Sequence, residues 1–237
     1  MESFAAIRRR AAERKGGEAV LARLLGKAAQ NAAVAEATDD RILSTMANRD
    51  FAAGFVWSVI EQKWPGFEAA FLGFAPKALL FQPDDFWEDL ARDARIVRNP
   101  QKIRSVRDNA AFVDRIAAEH GSFGRYLAAW PADDQIGLMA WLSKNGARLG
   151  GNTGQYVLRW TGWDTFIISA DMARALREAG LDIAEQPSSK GDLAKIQAQV
   201  NAWAAETGLA RMHISRILAM STGINNAPDD IARYVGE

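Results

Sequence analysis

The chain has no cysteine, which rules out disulfides, thiolate metal sites, iron–sulfur clusters and cysteine nucleophiles. Histidine is almost as scarce. His120 and His213 lie far apart, and neither stands in a HExxH or HxH spacing, so no catalytic metal centre and no other cofactor is expected. A GxxxxGK run ending in Ser or Thr, a GxGxxG after a strand and a GxSxG elbow are also missing. That leaves nucleotide hydrolysis, dinucleotide redox chemistry and serine hydrolysis without support. No run reaches the roughly 18 apolar residues of a membrane span, and the N-terminus lacks an apolar signal-peptide centre. A soluble, cytoplasmic protein that does not touch a membrane is the expectation. An excess of either charge is absent as well, with 29 basic and 29 acidic residues.

What is present is a core. Of 237 residues, 49% are hydrophobic, enough for one large domain without staples. Helical periodicity recurs along almost the whole chain, and Phe166-Ile167-Ile168 is too short to imply a sheet, so the fold class is read as all-α. One or two helices are expected in residues 3–35, whose Arg8-Arg9-Arg10 and Arg14-Lys15 suggest a basic surface or a solvated face. Further helices are expected from Asp39 through Met46 and from Gly54 to Lys63, with Pro65 and Pro76 punctuating the next two. Others run from Phe86 to Arg92, Gln101 to Glu119, and Gly121 towards Trp130. The second half adds Asp134 to Lys144, Asp171 to Ala179, Leu193 to Thr207 and His213 to Met220, with fraying after Asn225.

The segment 142–160 stands out. A helix ends at Lys144, Gly146, Gly150 and Gly151 break the chain, and Asn152 or Thr153 caps a second helix carrying Tyr156, Val157 and Trp160. A phosphate can sit on free amides at such a helix start, where glycines admit it and the dipole attracts it. From Gln135 to Trp163 there is no acid, while Lys144, Arg148 and Arg159 are present. The same glycines also suit a C-cap and a packing contact in an ordinary helical hairpin.

With these residues in place, the chain resembles the bacterial DNA-3-methyladenine glycosylase I family, within the helix-hairpin-helix DNA glycosylases. The likeness runs over about residues 45–180. It is carried by Gly54-Phe-Val-Trp57, Phe67-Glu-Ala-Ala-Phe-Leu-Gly-Phe-Ala-Pro76, Asp93-Ala-Arg-Ile-Val-Arg-Asn-Pro-Gln-Lys-Ile103, Asn109-Ala110 and Gly121-Ser-Phe-Gly-Arg-Tyr-Leu127. Asn145-Gly-Ala-Arg-Leu-Gly-Gly-Asn-Thr153 falls where that family has its hairpin. The resemblance implies a helix-hairpin-helix glycosylase fold, two helical lobes flanking a DNA-binding cleft. It divides the single domain 1–237 into an N-terminal extension 1–44, a core 45–180 and a C-terminal extension 181–237.

The activity it implies is base excision on double-stranded DNA: a monomer flips an alkylated purine such as 3-methyladenine and hydrolyses its N-glycosidic bond. A non-catalytic damage-binding protein on the same fold is the alternative. No lysine stands at Gly150-Gly151-Asn152-Thr153, so abasic-site cleavage is not expected. The phosphate grip is assigned to Lys144, Arg148, Gly150, Gly151, Asn152 and Thr153, and Arg98, Asn99 and Lys102 are further phosphate candidates, for which solvent-facing capping is the other reading. Trp57 is expected to stack on the flipped base, with Phe51 as another wall and Gly54 and Phe55 as the wedge. The other seven tryptophans are read as core.

Three departures accompany the resemblance. The family's zinc clasp is missing along with cysteine. The family's base-contacting glutamate aligns with Arg49, beside Asp50, with Glu61 the other nearby acid. Finally, Asp171 follows the hairpin as a catalytic aspartate does in the broader superfamily, where it would stabilise the cationic sugar and orient water. Asp171 also suits a helix N-cap, and Asp164 is the second candidate, with a turn-capping role as its other reading.

Overall fold

Side-chain caps fix many of the helix ends in the computed structural model, which describes residues 1–232 and contains no strand among them. Ser122, Ser169 and Ser189 each accept an amide three residues on, and Asn99 accepts those of Gln101 and Lys102. The described residues fall into two compact units. One comprises Gln30–Ala132 and Gly137–Trp163; the other comprises Met1–Ala29, Asp133–Ile136 and the chain from Asp164 onward.

In chain order the helices are α1 (Phe4–Lys15), α2 (Glu18–Leu25), α3 (Asp39–Ala52), α4 (Trp57–Ala70), α5 (Pro76–Leu80), α6 (Asp84–Leu90), α7 (Pro100–His120) and α8 (Phe123–Ala129). Next come α9 (Gln135–Asn145), α10 (Gly151–Trp160), α11 (Ala170–Glu178), α12 (Lys190–Thr207), α13 (Arg211–Ser221) and α14 (Pro228–Ala232). No helix among the described residues is long and apolar enough to cross a membrane.

The central unit packs α3 against α7 and α10. Phe51, Phe67, Phe71 and Phe74 are fully buried; the last three stack in a row, Phe51 meets Phe67 edge-on, and the indole of Trp64 lies on Phe67 and Phe74. Pro65 does not end a helix as its residue type suggests; it lies inside α4. Tertiary contacts on either side of it outweigh the lost amide. Glu68 takes both guanidinium nitrogens of Arg41 at 2.9 Å, the Ser44 hydroxyl at 2.8 Å and the Trp64 indole N–H at 3.1 Å, tying α4 to α3. Burial alone would raise the Glu68 carboxyl, but these partners outweigh it and hold it below its ordinary value. The helix expected to stop at Met46 continues to Ala52, which carries Arg49, Asp50 and Phe51 on one rigid element.

The terminal unit packs α13 against α1, α11 and α12. Its basic run divides: Arg9 is exposed and Arg8 pairs with Glu18 at the surface, as a solvated face would have them, while Arg10, Arg14 and Lys15 are structural. Arg10 and Arg14 donate to the carbonyls of Met220, Ser221, Thr222 and Gly223, capping the C-terminal end of α13, where the helix dipole favours cations. Lys15 is buried and donates to Asn225 Oδ1 and the Asn226 carbonyl, both at 2.8 Å. Residues expected to fray after Asn225 include α14; residues 233–237 lie outside the described part of the chain.

Candidate functional site

The hairpin between α9 and α10 is anchored from both sides within the central unit. Buried Asn109 on α7 donates its amide N–H to the Ala147 carbonyl at 3.0 Å and accepts the Ala147 N–H at 2.8 Å. One residue later, Arg148 Nε donates to Asp50 Oδ1 at 2.8 Å, and the other oxygen of Asp50 accepts the Ser105 hydroxyl at 2.8 Å. Arg148 is left-handed, with φ of 60°, a conformation that L side chains adopt at a cost. A Cβ added to Gly154 would lie 2.4 Å from the Leu149 carbonyl oxygen, so this glycine allows α10 to close over its own loop.

Asn152 and Thr153 do not cap α10, contrary to expectation. The helix begins at Gly151 with Gly150 as its cap residue, and no side chain bonds the first amides. Gly151 and Asn152 are exposed, so this helix start faces water, and Lys144 at the end of α9 is exposed as well. Arg148, expected to serve phosphate alone, also neutralises Asp50. Asn99 caps α7, the second of its two expected roles, whereas Lys102 is buried and is neither a phosphate contact nor a solvent-facing cap.

Beside the hairpin, the end of α3 and the start of α4 form a second cluster. Arg49 is 5% exposed, with its guanidinium carbon 3.9 Å from the centre of the Trp160 ring and 4.8 Å from that of Trp57. Asn48 Oδ1 accepts its Nε–H at 2.9 Å. Tyr156 meets Trp57 edge to face at 5.6 Å. Tyr156 and Trp160 share a face of α10 because they are four residues apart. A guanidinium over an indole is stabilised by about 0.5–2 kcal/mol per contact.

The backbone between these helices is also held. Lys102 Nζ donates to the carbonyls of Ala53 at 2.7 Å and Phe51 at 3.3 Å, and lies 4.9 Å from the Phe55 ring centre. Burial lowers the Lys102 amine; Asp50 opposes the shift and Arg148 adds to it. Gly54 then turns the chain with φ of 78°, leaving Phe55, Val56 and Val59 exposed at the surface. Gly54 and Phe55, expected as the wedge, thus lie at the surface on a braced turn.

Other expected residues lie elsewhere. Phe51 cannot line a base pocket, because it is fully buried edge-on against Phe67. Asp50 is committed to Arg148 and Ser105 at 1% exposure, and Glu61 is exposed. In the terminal unit, Asp164 is engaged by backbone. Its two oxygens accept the amides of Arg211 and Met212 at 2.9 Å, which caps α13. Asp171 lies half-buried in the first turn of α11, where Ser169 rather than Asp171 provides the cap. A Cβ on Gly223 would fall 2.2 Å from Asp171 Oδ1, so that glycine leaves the carboxylate its space.

Sequence reasoning misses Trp160, Lys102 and Ser105 as parts of this cluster. Trp160 counts as core by residue type, yet it is 39% exposed. Its spacing from Tyr156 is the available signal; nothing local points to Ser105.

Residues 31–143 match the methyladenine glycosylase family. Among solved structures, the 3-methyladenine DNA glycosylase I of Staphylococcus aureus is 19% identical, with a TM-score of 0.48 over 65% of this chain and 85% of that one. A Tyr-to-Phe variant of 3-methyladenine DNA glycosylase I in complex with 3-methyladenine is also 19% identical, with a TM-score of 0.48 over 64% and 86%. Another 3-methyladenine DNA glycosylase I gives 19% and 0.46 over 53% and 80%. The segment holding α3 to α8 and most of α9 therefore carries the pattern of the methyladenine glycosylases.

Proposed function

We propose that this protein is a monofunctional base-excision DNA glycosylase that hydrolyses the N-glycosidic bond of an alkylated purine, the resemblance naming 3-methyladenine. The match of residues 31–143 to the methyladenine glycosylases carries the reading. The central unit supports it with an uncapped helix start at Gly151, the exposed Phe55-Val56 turn and the Trp57 indole. In this reading the amides of Gly151, Asn152 and Thr153, with Lys144 and the outer edge of Arg148, hold a DNA phosphate. Phe55 wedges into the duplex, and Trp57 receives the extrahelical base.

Asp171 is the proposed carboxylate for the chemistry. As the glycosidic bond breaks, positive charge grows on the sugar; a carboxylate stabilises it and orients the attacking water. We further place the protein in the cytoplasm as a monomer acting on double-stranded DNA. A second reading, damage binding without hydrolysis, is favoured by one observation: Arg49 stands where the resemblance puts a base-contacting glutamate.

Binding to a duplex with an abasic-site analogue tests the shared part of both readings. Tighter binding than to undamaged duplex is expected, with affinity falling as salt rises because phosphate contacts release counterions. Equal, salt-independent binding to both duplexes would contradict them.

A further inference from the structure

Three buried polar side chains of α7, Lys102, Ser105 and Asn109, stand at spacings of three and four and so share one face. Each reaches a different part of the candidate site. Asn109 holds the hairpin backbone at Ala147, and Ser105 holds Asp50, whose other oxygen takes Arg148 of the hairpin. Lys102, 4% exposed, donates to the carbonyls of Phe51 and Ala53 at the end of α3, and its ammonium lies 4.9 Å from the Phe55 ring centre. The hairpin and the Gly54-Phe55 turn are therefore held by the same helix.

We infer that Lys102 is a positioning residue for base extrusion: it fixes the Gly54-Phe55 turn, and with it the Phe55 ring, relative to the phosphate grip. The inference rests on the glycosylase reading of hairpin and wedge, and adds a residue to it. Satisfying the two carbonyls does not call for a lysine. Ala53, Gly54 and Phe55 are exposed, so water can reach this helix end. Burying an ammonium is costly by comparison, and burial lowers the Lys102 amine from its ordinary value. What the lysine adds is position. It places a cation at the C-terminal end of α3, where the dipole favours one, and ties down two carbonyls beside a glycine whose backbone is otherwise permissive.

A wedge side chain has to be ordered before it can displace a base. Ordering it on the free protein removes that entropic cost from the binding step. The Phe55 ring keeps its contact with the ammonium while 44% of the residue stays exposed, so it is held and presented at once. Lys102 itself is buried away from any phosphate. Its effect on DNA therefore passes through Phe55 and not through counterion release.

The test uses the full chain and two duplexes, undamaged or with an abasic-site analogue, each carrying a 2-aminopurine whose fluorescence rises when its stacking is broken. Affinity for both and the fluorescence at saturation are read for wild type, Lys102→Met, Phe55→Ala and the double variant. Lys102→Met keeps an unbranched stem and removes the ammonium. It is expected to lower the preference for the analogue at least about fivefold and the fluorescence rise by about half, with affinity for undamaged duplex within about twofold of wild type. In the Phe55→Ala background the same substitution is expected to change the preference less than about twofold, because the group it acts through is gone. The slope of log affinity against log salt is expected to match wild type. Lys102→Gln keeps a donor without the charge and stands in if Lys102→Met does not fold; it is expected to lower the preference at least about threefold. An unchanged preference, equal losses on both duplexes, losses that multiply in the double variant, or a salt slope smaller by about one would overturn the inference while the glycosylase reading stands. A Phe55→Ala protein with wild-type preference would remove the wedge, and the inference with it. A wild type that binds the analogue no better than undamaged duplex would overturn the glycosylase reading itself.

Discussion

Asn109 and Ala147 exchange two hydrogen bonds, the side-chain amide of one closing a ring with the backbone amide and carbonyl of the other. This makes the hairpin part of the α7 surface rather than a free loop. Asn109→Ala leaves both Ala147 groups to find water, and a loss of about 2–4 kcal/mol is expected. Urea unfolding with an unchanged slope measures it. Weaker binding to abasic-analogue duplex should accompany the loss if the hairpin is the phosphate grip. A variant as stable as wild type would show that the ring has no role in holding the hairpin.

The pair Arg148 and Asp50 is asymmetric, and so are its expected substitutions. Side-chain exposure is 42% for Arg148 and 2% for Asp50. Arg148→Ala strands a carboxylate in the interior, at about 3 kcal/mol or more. Asp50→Asn keeps a partner for Ser105 and lets the arginine turn to water, costing about 1–2 kcal/mol. Denaturant melts of the two variants rank them, and the reverse order would contradict the buried-carboxylate account.

Acid should act on the central unit through Glu68. Its carboxyl is held below the ordinary value of 4.5 in the folded chain. A depressed carboxyl adds stability above the unfolded value and loses it as pH falls through the folded one. Glu68→Gln is therefore expected to be less stable than wild type at neutral pH and to lose less of its stability between neutral and acid conditions. Parallel pH–stability curves for the two proteins would remove Glu68 from the acid response.

Much of the fold is legible in the sequence because its signals are local. Asn99 and Ser122 mark helix starts that the structure keeps, and Gly146 and Gly150 mark the break between the hairpin helices. Pro65 misleads because its helix survives through contacts of Trp64 and Glu68 with distant residues. The Arg10 and Arg14 run misleads for the same reason, its partners lying more than 200 residues away. Arg49 is visible as a departure from the family glutamate, but its place between Trp57 and Trp160 depends on packing α10 against α3, which no sequence spacing reports.

The most direct measurement is purine release from alkylated duplex DNA, by wild type and by Asp171→Asn under the same conditions. The account predicts release by wild type, a loss of about 100-fold or more in the variant, and abasic-site affinity that the substitution leaves nearly intact. Release by both proteins at equal rates would remove Asp171 from the chemistry. Release by neither would contradict the glycosylase itself.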